Sequence, residues 1–196
     1  PYSISKLIGE LYGNYYFRAK GLPFVRARFQ NVFGPREVLG AGRWRGTPHT
    51  VWRNVTPTFV WKSLNKEALM LDNEGRSSRD FIFVEDMAKG LMRCAVAGKP
   101  GGVYNLASGK ETTIAELAHI VNEVTGNPTP SELRPARDWD RSGKRFGCTK
   151  KSERELGFMA KTNLKEGIKK TVEWTIQNSS IVEKAIAKHD VKMPSP

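Results

Sequence analysis

Between residues 68 and 98 the sequence ALMLDNEGRSSRDFIFVEDMAKGLMRCAVAG passes from strand character to helix character with no spacer. It reads as strand, turn, strand, helix. Asp86 is predicted to cap the helix over 87–97, because an aspartate there can accept from first-turn N–H groups. Strands that alternate with helices in this way define an α/β domain.

The rest of the chain keeps the alternation. Residues 3–20 form a predicted helix, with Ile4, Leu7, Ile8, Leu11 and Tyr15 on one apolar stripe, and Gly21 is its expected C-cap. The segment LPFVRARFQNVFGP at 22–35 is predicted to be a mostly buried strand through Phe24, Val25, Ala27 and Phe29, broken by Gly34-Pro35. Residues 36–53 read as a long irregular loop rich in Arg, Gly and Pro, and long loops in compact domains are often functional. A helix is predicted over 56–66 and a short strand within GGVYNLASG at 101–109. Thr112 or Thr113 should cap a helix that runs to about 125, with Glu116 completing a capping box. TNLKEGIKKTVEWTIQN gives another amphipathic helix, and the tail VKMPSP at 191–196 is expected to be disordered. There is no Gly-rich strand-to-helix turn: Gly9, Gly13 and Gly21 do not make a dinucleotide fingerprint.

Function classes narrow next. A chain of 196 residues suits one domain with a real core. The formal net charge of +12 attracts anions. A nucleic acid, a phosphorylated small molecule or an acidic missing half would each satisfy it. No basic-and-aromatic motif supports nucleic acid, and no apolar run approaches the ~20 residues that span a membrane. With no secretory leader, and with Cys94 and Cys148 read as reduced thiols, the expected compartment is the cytoplasm. His49 lies in the long loop and His119 on a predicted helix, and neither carries a metal-site spacing.

The chain opens PYSISKLIGE. Tyr2 and Lys6 stand four apart, so on a helix they share a face. A tyrosine hydroxyl ordinarily titrates near 10, and an ammonium held beside it favours the phenolate. Such a tyrosine can take a proton from a hydroxyl group and return it. On spacing alone the pair reads as an ordinary surface Tyr and Lys.

Its neighbours change that. PYSISKLIGE, RARFQNVFGPRE, RNVTPTFV, RSSRDFIFVEDMAKG, GGVYNLASG and ERELGF…TNLKEGIKKTVEW follow in order. In that order and spacing the chain resembles the C-terminal half of the extended short-chain dehydrogenase/reductases, the NAD-dependent epimerases and dehydratases of nucleotide-diphosphate sugars. The resemblance runs from residue 1 to about 175. It implies an α/β, Rossmann-type fold with the small substrate-binding domain, whose N-terminal Gly-rich cofactor half and catalytic Ser or Thr are absent. Residues 1–190 would be that substrate-binding half together with the tail of the Rossmann core.

The same resemblance implies the roles. Tyr2 matches the catalytic acid/base. Lys6 matches the lysine that lowers its pKa and binds the nicotinamide ribose, and Gln30 falls at the nicotinamide end; the cofactor that the resemblance implies is NAD, in preference to NADP. Asn31 matches an asparagine at the sugar or its phosphates, and Asn54 a second one at the diphosphate. Arg79 matches a nucleotide clamp and Arg137 a second phosphate-binding arginine. Guanidinium forks hold diphosphate oxygens bidentately, which would account for the basic charge. LMLDNEG at 69–75 should pass near the base. Simpler roles stand beside these: Arg79 pairing with Asp80 or Glu85, Asn31 capping a turn ahead of Gly34, and Asp80 and Asp86 as structural carboxylates. Asp138-Trp139-Asp140 and Cys148-Thr149 depart from the family pattern.

The function so implied is an NAD-dependent nucleotide-sugar 4-epimerase, present as a fragment that is inactive alone. The alternatives are a 4,6-dehydratase and a non-catalytic nucleotide-sugar-binding module. The resemblance also implies a homodimer, formed by helices that include 3–20, with a nucleotide-diphosphate sugar as the ligand and neither nucleic acid nor membrane as a partner.

Overall fold

The computed structural model describes residues 2–41, 51–138 and 143–190, with the side chains of Tyr2 and Asp190 outside that description. His49, Trp139, Asp140 and the tail 191–196 lie outside the described residues. The elements are α1 (Tyr2–Lys20), β1 (Arg26–Phe29), β2 (Asn31–Phe33), α2 (Val55–Leu64), β3 (Met70–Asp72), β4 (Ser78–Arg79), β5 (Phe81–Phe83), α3 (Val84–Ala97), β6 (Val103–Leu106), β7 (Thr112–Thr113), α4 (Ile114–Thr125), β8 (Glu132–Arg134), α5 (Lys150–Leu156), α6 (Leu164–Gln177) and α7 (Ser179–Asp190). No helix among the described residues is long and apolar enough to cross a membrane.

The chain divides into two compact units. The first takes residues 1–32, 80–111 and 146–161. Here β1 runs parallel to β6, with Arg26 opposite Val103 and Phe29 opposite Leu106. The predicted strand over 22–35 is in fact two short ones, β1 and β2, and Phe29 is 53% exposed rather than buried. The core of this unit is Ile82, Met87, Cys94, Tyr104, Leu106, Leu156 and Phe158, all nearly solvent-free. Burial of side chains of this size stabilises by about 1.5–3 kcal/mol each.

Helix α3 follows β5 with no spacer. Its N-cap is Phe83, so Asp86 is not the cap but a first-turn residue. The Asp86 carboxylate is buried and accepts the Lys161 backbone N–H at 3.0 Å. It thereby ties the segment after α5 to the start of α3, where negative charge also suits the helix dipole.

α1 ends where expected. Gly21 takes φ 66°, and its N–H donates to Phe17 O at 3.1 Å. The predicted apolar stripe stays in water, however. Ile4, Leu7, Ile8, Leu11 and Tyr15 are 46 to 63% exposed, so the stripe is not a core face of the described unit.

The second unit takes residues 33–79, 112–145 and 162–196. Helices α2, α4 and α6 pack on one another around Val60, Leu117, Val121 and Ile168, which are solvent-free. Ser63 lies on α2 facing α4, where its hydroxyl donates to Asn122 Oδ1 at 2.7 Å and pairs with Thr125 Oγ1 at 2.6 Å. β3 pairs with β8 in parallel, and β4 with β7 antiparallel. α4 opens with the predicted capping box, Thr113 with Glu116. The short α5 of the first unit and α7 of this one were not anticipated from the sequence. Val182 and Ile186 of α7 join Leu39, Val51, Trp61 and Trp174 in a second hydrophobic cluster.

Candidate functional site

The residues singled out from the sequence fall in both units. In the first unit, α1 is helical from Tyr2 onward, so Tyr2 and Lys6 stand one turn apart on the same side of its backbone. Lys6 is exposed. Gln30 leaves the carboxyl end of β1, and its N–H donates to Leu106 O at 3.3 Å. Asn31 opens β2, and its N–H donates to Asp80 O at 3.0 Å. Gln30 and the turn after β6 therefore lie at the carboxyl ends of paired parallel strands, the edge at which open α/β sheets bind ligands.

That turn is built by Asp80. Its carboxylate is solvent-free and accepts the Ser108 N–H and hydroxyl, both at 2.8 Å, the Gly109 N–H at 2.9 Å and the Gly147 N–H at 3.3 Å. Asp80 is thus the structural carboxylate of this edge. Gly147 lies against the same strand ends. A Cβ there would come within 2.6 Å of the Ala107 Cβ and 3.3 Å of the Gln30 Cγ.

In the second unit, Asn54, Arg79 and Arg137 are each held by a different partner. Arg79 Nη1 donates to Ser78 O at 2.7 Å and to Gly143 O at 2.9 Å. The guanidinium thus buttresses the junction of β4 with the segment at 143–145. Arg137 forms an ion pair with Asp72 at the end of β3. Asp72 leads into Asn73, Glu74 and Gly75, all left-handed, at φ 53°, 53° and 72°. Such runs are rare for residues other than glycine and collect at ligand sites. LMLDNEG is the segment expected to pass near the base.

Asn54 is the N-cap residue of α2, yet its side chain makes no capping hydrogen bond. Its Nδ2 donates instead to Glu37 Oε1 at 2.7 Å. Burial pushes the Glu37 carboxyl up to about 7, against the opposing pull of the Asn54 hydrogen bond and the Arg53 charge. A small cavity of about 30 Å³ lies here, lined by Leu39, Gly40, Val51, Arg53, Asn54 and Pro57.

Two participants were missed in the sequence. Glu37 was visible only as the last letter of the motif RARFQNVFGPRE, and Asp72 only as the centre of LMLDNEG. Each carboxylate lies far along the chain from the residue it holds, so no local signal marks the pair.

Known proteins bear on this geometry. The sequence model of the NAD dependent epimerase/dehydratase family matches residues 1–107. Among solved structures, the Bordetella bronchiseptica enzyme WbmF in complex with NAD+ and UDP is 58% identical. That match covers 98% of this chain and 58% of WbmF, with a TM-score of 0.91. The epimerase Mth375 of Methanothermobacter thermautotrophicus is 38% identical over 94% of this chain and 52% of its own, with a TM-score of 0.84. The human dTDP-D-glucose 4,6-dehydratase is 28% identical over 95% of this chain and 52% of its own length. The chain spans between a quarter and about half the length of the curated relatives it matches.

Proposed function

The chain belongs to the NAD-dependent epimerase/dehydratase family, and from that premise we propose that it is the substrate-binding half of a nucleotide-sugar 4-epimerase. Its α/β fold is the Rossmann-like fold of the extended short-chain dehydrogenase/reductases. The observation that carries the proposal is the helical backbone of α1, which sets Tyr2 and Lys6 one turn apart.

Tyr2 is the acid/base that takes the proton of the sugar C4 hydroxyl and returns it. Lys6 supplies the positive charge that favours its phenolate. The donor set suits a nicotinamide nucleotide: an ammonium at Lys6 for ribose hydroxyls, and at Gln30 an amide that can both donate and accept. NAD, when bound, supplies the hydride acceptor and donor. Asn31 and Asn54 offer amide donors to the sugar and diphosphate. Arg79 and Arg137 offer the guanidinium forks that suit phosphate oxygens. The UDP of the WbmF complex supports a uridine nucleotide as the carrier.

The human relative supports a second reading, a 4,6-dehydratase. The exposed stripe on α1 supports a homodimer formed through that helix. Sedimentation of the protein from its native gene as a monomer at micromolar concentration would reject the dimer. The free thiols of Cys94 and Cys148 support a cytoplasmic setting.

The test is incubation of the protein from its native gene with NAD and UDP-hexoses, followed by mass spectrometry and NMR of the sugar. A product of unchanged mass, inverted at C4, supports the epimerase. A product that has lost one water supports the dehydratase. With either activity, Tyr2→Phe should lower kcat at least ~100-fold. Full activity in that variant rejects the assigned acid/base.

A further inference from the structure

Asn54 has the backbone of a capping residue, φ −101° and ψ 125°, and asparagine is among the best N-caps known. Its side chain nevertheless leaves the first turn of α2 uncapped. The amide is turned away to Glu37, which takes one of its two N–H bonds at 2.7 Å. Among the described residues the second N–H has no acceptor.

Glu37 itself is delivered by a pinned loop. Arg36 ahead of it takes φ 73° and Gly40 beyond it φ 67°. A Cβ at Gly40 would collide with the Ala185 carbonyl of α7 and stand 3.2 Å from the His189 ring. The loop and the helix therefore touch backbone to backbone. His189 is solvent-free, and its Nε2 donates to the Gly40 carbonyl at 2.6 Å. A carbonyl can only accept, so Nε2 carries the proton. Nδ1 is buried with no hydrogen-bond partner among the described residues. Val182 and Ile186 on the same helix pack with Leu39 and Val38.

We propose that Glu37 is a positioning residue for diphosphate recognition: it turns the Asn54 amide off the α2 N-terminus, leaving both the helix end and the amide for a nucleoside diphosphate, while α7 pins the Glu37 loop through His189. The inference rests on reading Asn54 as a diphosphate ligand. A carboxylate beside a phosphate would ordinarily repel it. Burial lifts this carboxyl to about 7, which lessens its negative charge near neutral pH, and its oxygen accepts from Asn54 in either form.

Two measurements on the protein from its native gene test this. The first is the Asn54 side-chain amide in ¹H–¹⁵N spectra without ligand. The second is the Kd for UDP by titration calorimetry. Glu37→Ala should move the Asn54 signal and weaken UDP about tenfold, as loss of one aligned hydrogen-bond donor does. Glu37→Gln, which retains a carbonyl acceptor, should recover most of that loss. Asn54→Ala should cost as much as Glu37→Ala, and the double variant no more than either, because the two act as one unit. His189→Ala should weaken UDP about threefold, with recovery in His189→Gln, whose amide can donate to the same carbonyl.

An unmoved Asn54 signal in Glu37→Ala, or additive losses in the double variant, would overturn the proposal. UDP affinity unchanged in His189→Ala would remove α7 from it. If the wild type does not bind UDP, the diphosphate reading of Asn54 falls. The ligand-free spectrum then decides separately whether Glu37 aims the amide.

Discussion

The carboxylate of Asp80 accepts both the backbone N–H and the side-chain hydroxyl of Ser108, each at 2.8 Å. Two further backbone donors, from Gly109 and Gly147, converge on its other oxygen. Four donors around one solvent-free carboxylate leave no room for an amide. Asp80→Asn would turn an NH₂ toward N–H groups and should cost about 2–4 kcal/mol. Asp80→Ala, which strands all four donors, should cost about 3–5 kcal/mol. Urea unfolding reads both values. A loss under about 1 kcal/mol for either would show that the turn after β6 does not depend on this carboxylate.

Glu37 makes stability fall as pH rises. Burial lifts its carboxyl to about 7 from an ordinary 4.5, so the folded state holds this proton more tightly than the unfolded chain. Its contribution is complete below the ordinary value and is lost as pH climbs through about 7. The whole effect is at most about 3 kcal/mol. Stability curves of the wild type and Glu37→Gln, measured across about pH 5 to 8, should converge at the acid end and separate at the alkaline end, with the variant the more stable there. Parallel curves would contradict the assignment.

The capping box of α4 has the opposite pH sense. Glu116 accepts the Thr113 N–H at 2.7 Å and its hydroxyl at 2.9 Å, and these bonds hold its carboxyl below the ordinary range. This stability is present above the ordinary value of 4.5 and is lost as pH falls through the depressed one. Thr113→Ala should cost about 1 kcal/mol at neutral pH. The cost should shrink in acid, where Glu116 no longer accepts as an anion. Thermal melts at neutral and acid pH would show it.

Gly75 and Gly126 form a matched pair for separating strain from collision. Both are left-handed, at φ 72° and 63°. A Cβ on Gly126 meets nothing within 4 Å, whereas one on Gly75 stands 2.8 Å from the Ala115 Cβ and 2.9 Å from its backbone nitrogen. Gly126→Ala should therefore cost about 1 kcal/mol, the price of the backbone conformation alone. Gly75→Ala should cost at least ~2 kcal/mol. Equal melting temperatures for the two variants would mean that the turn after β3 yields to the added methyl.

What could be read from the sequence was local. Thr113 and Glu116 are three residues apart and make their own hydrogen bonds, and Gly21 ends α1 by a rule confined to one turn. Asp86 was misassigned because a cap was judged by residue type. The strand runs directly into the helix, so Phe83 caps, and the carboxylate is claimed by Lys161, distant in sequence. Phe29 was assigned to the interior by its hydrophobicity, but the outer side of β1 is half open. α7 carries its own helical signal, with Ile181, Val182, Ala185 and Ile186 spaced for one face, but its contacts with Leu39 and Gly40 are formed only in the folded chain. In the site, the arginines and asparagines were legible as types. The partners that aim them, Glu37, Asp72 and the Gly143 carbonyl, were not, because each comes from a distant stretch of chain.

The open stripe of α1 also decides how the chain behaves as a colloid. Copies carrying a formal charge of +12 repel one another over a range of about 10 Å in 0.1 M salt, and over only about 3 Å at 1 M. Attraction between stripes of leucine, isoleucine and tyrosine is not screened, and sulfate or phosphate strengthens it. Self-association through α1 is therefore expected to weaken in dilute buffer and to tighten as salt is raised.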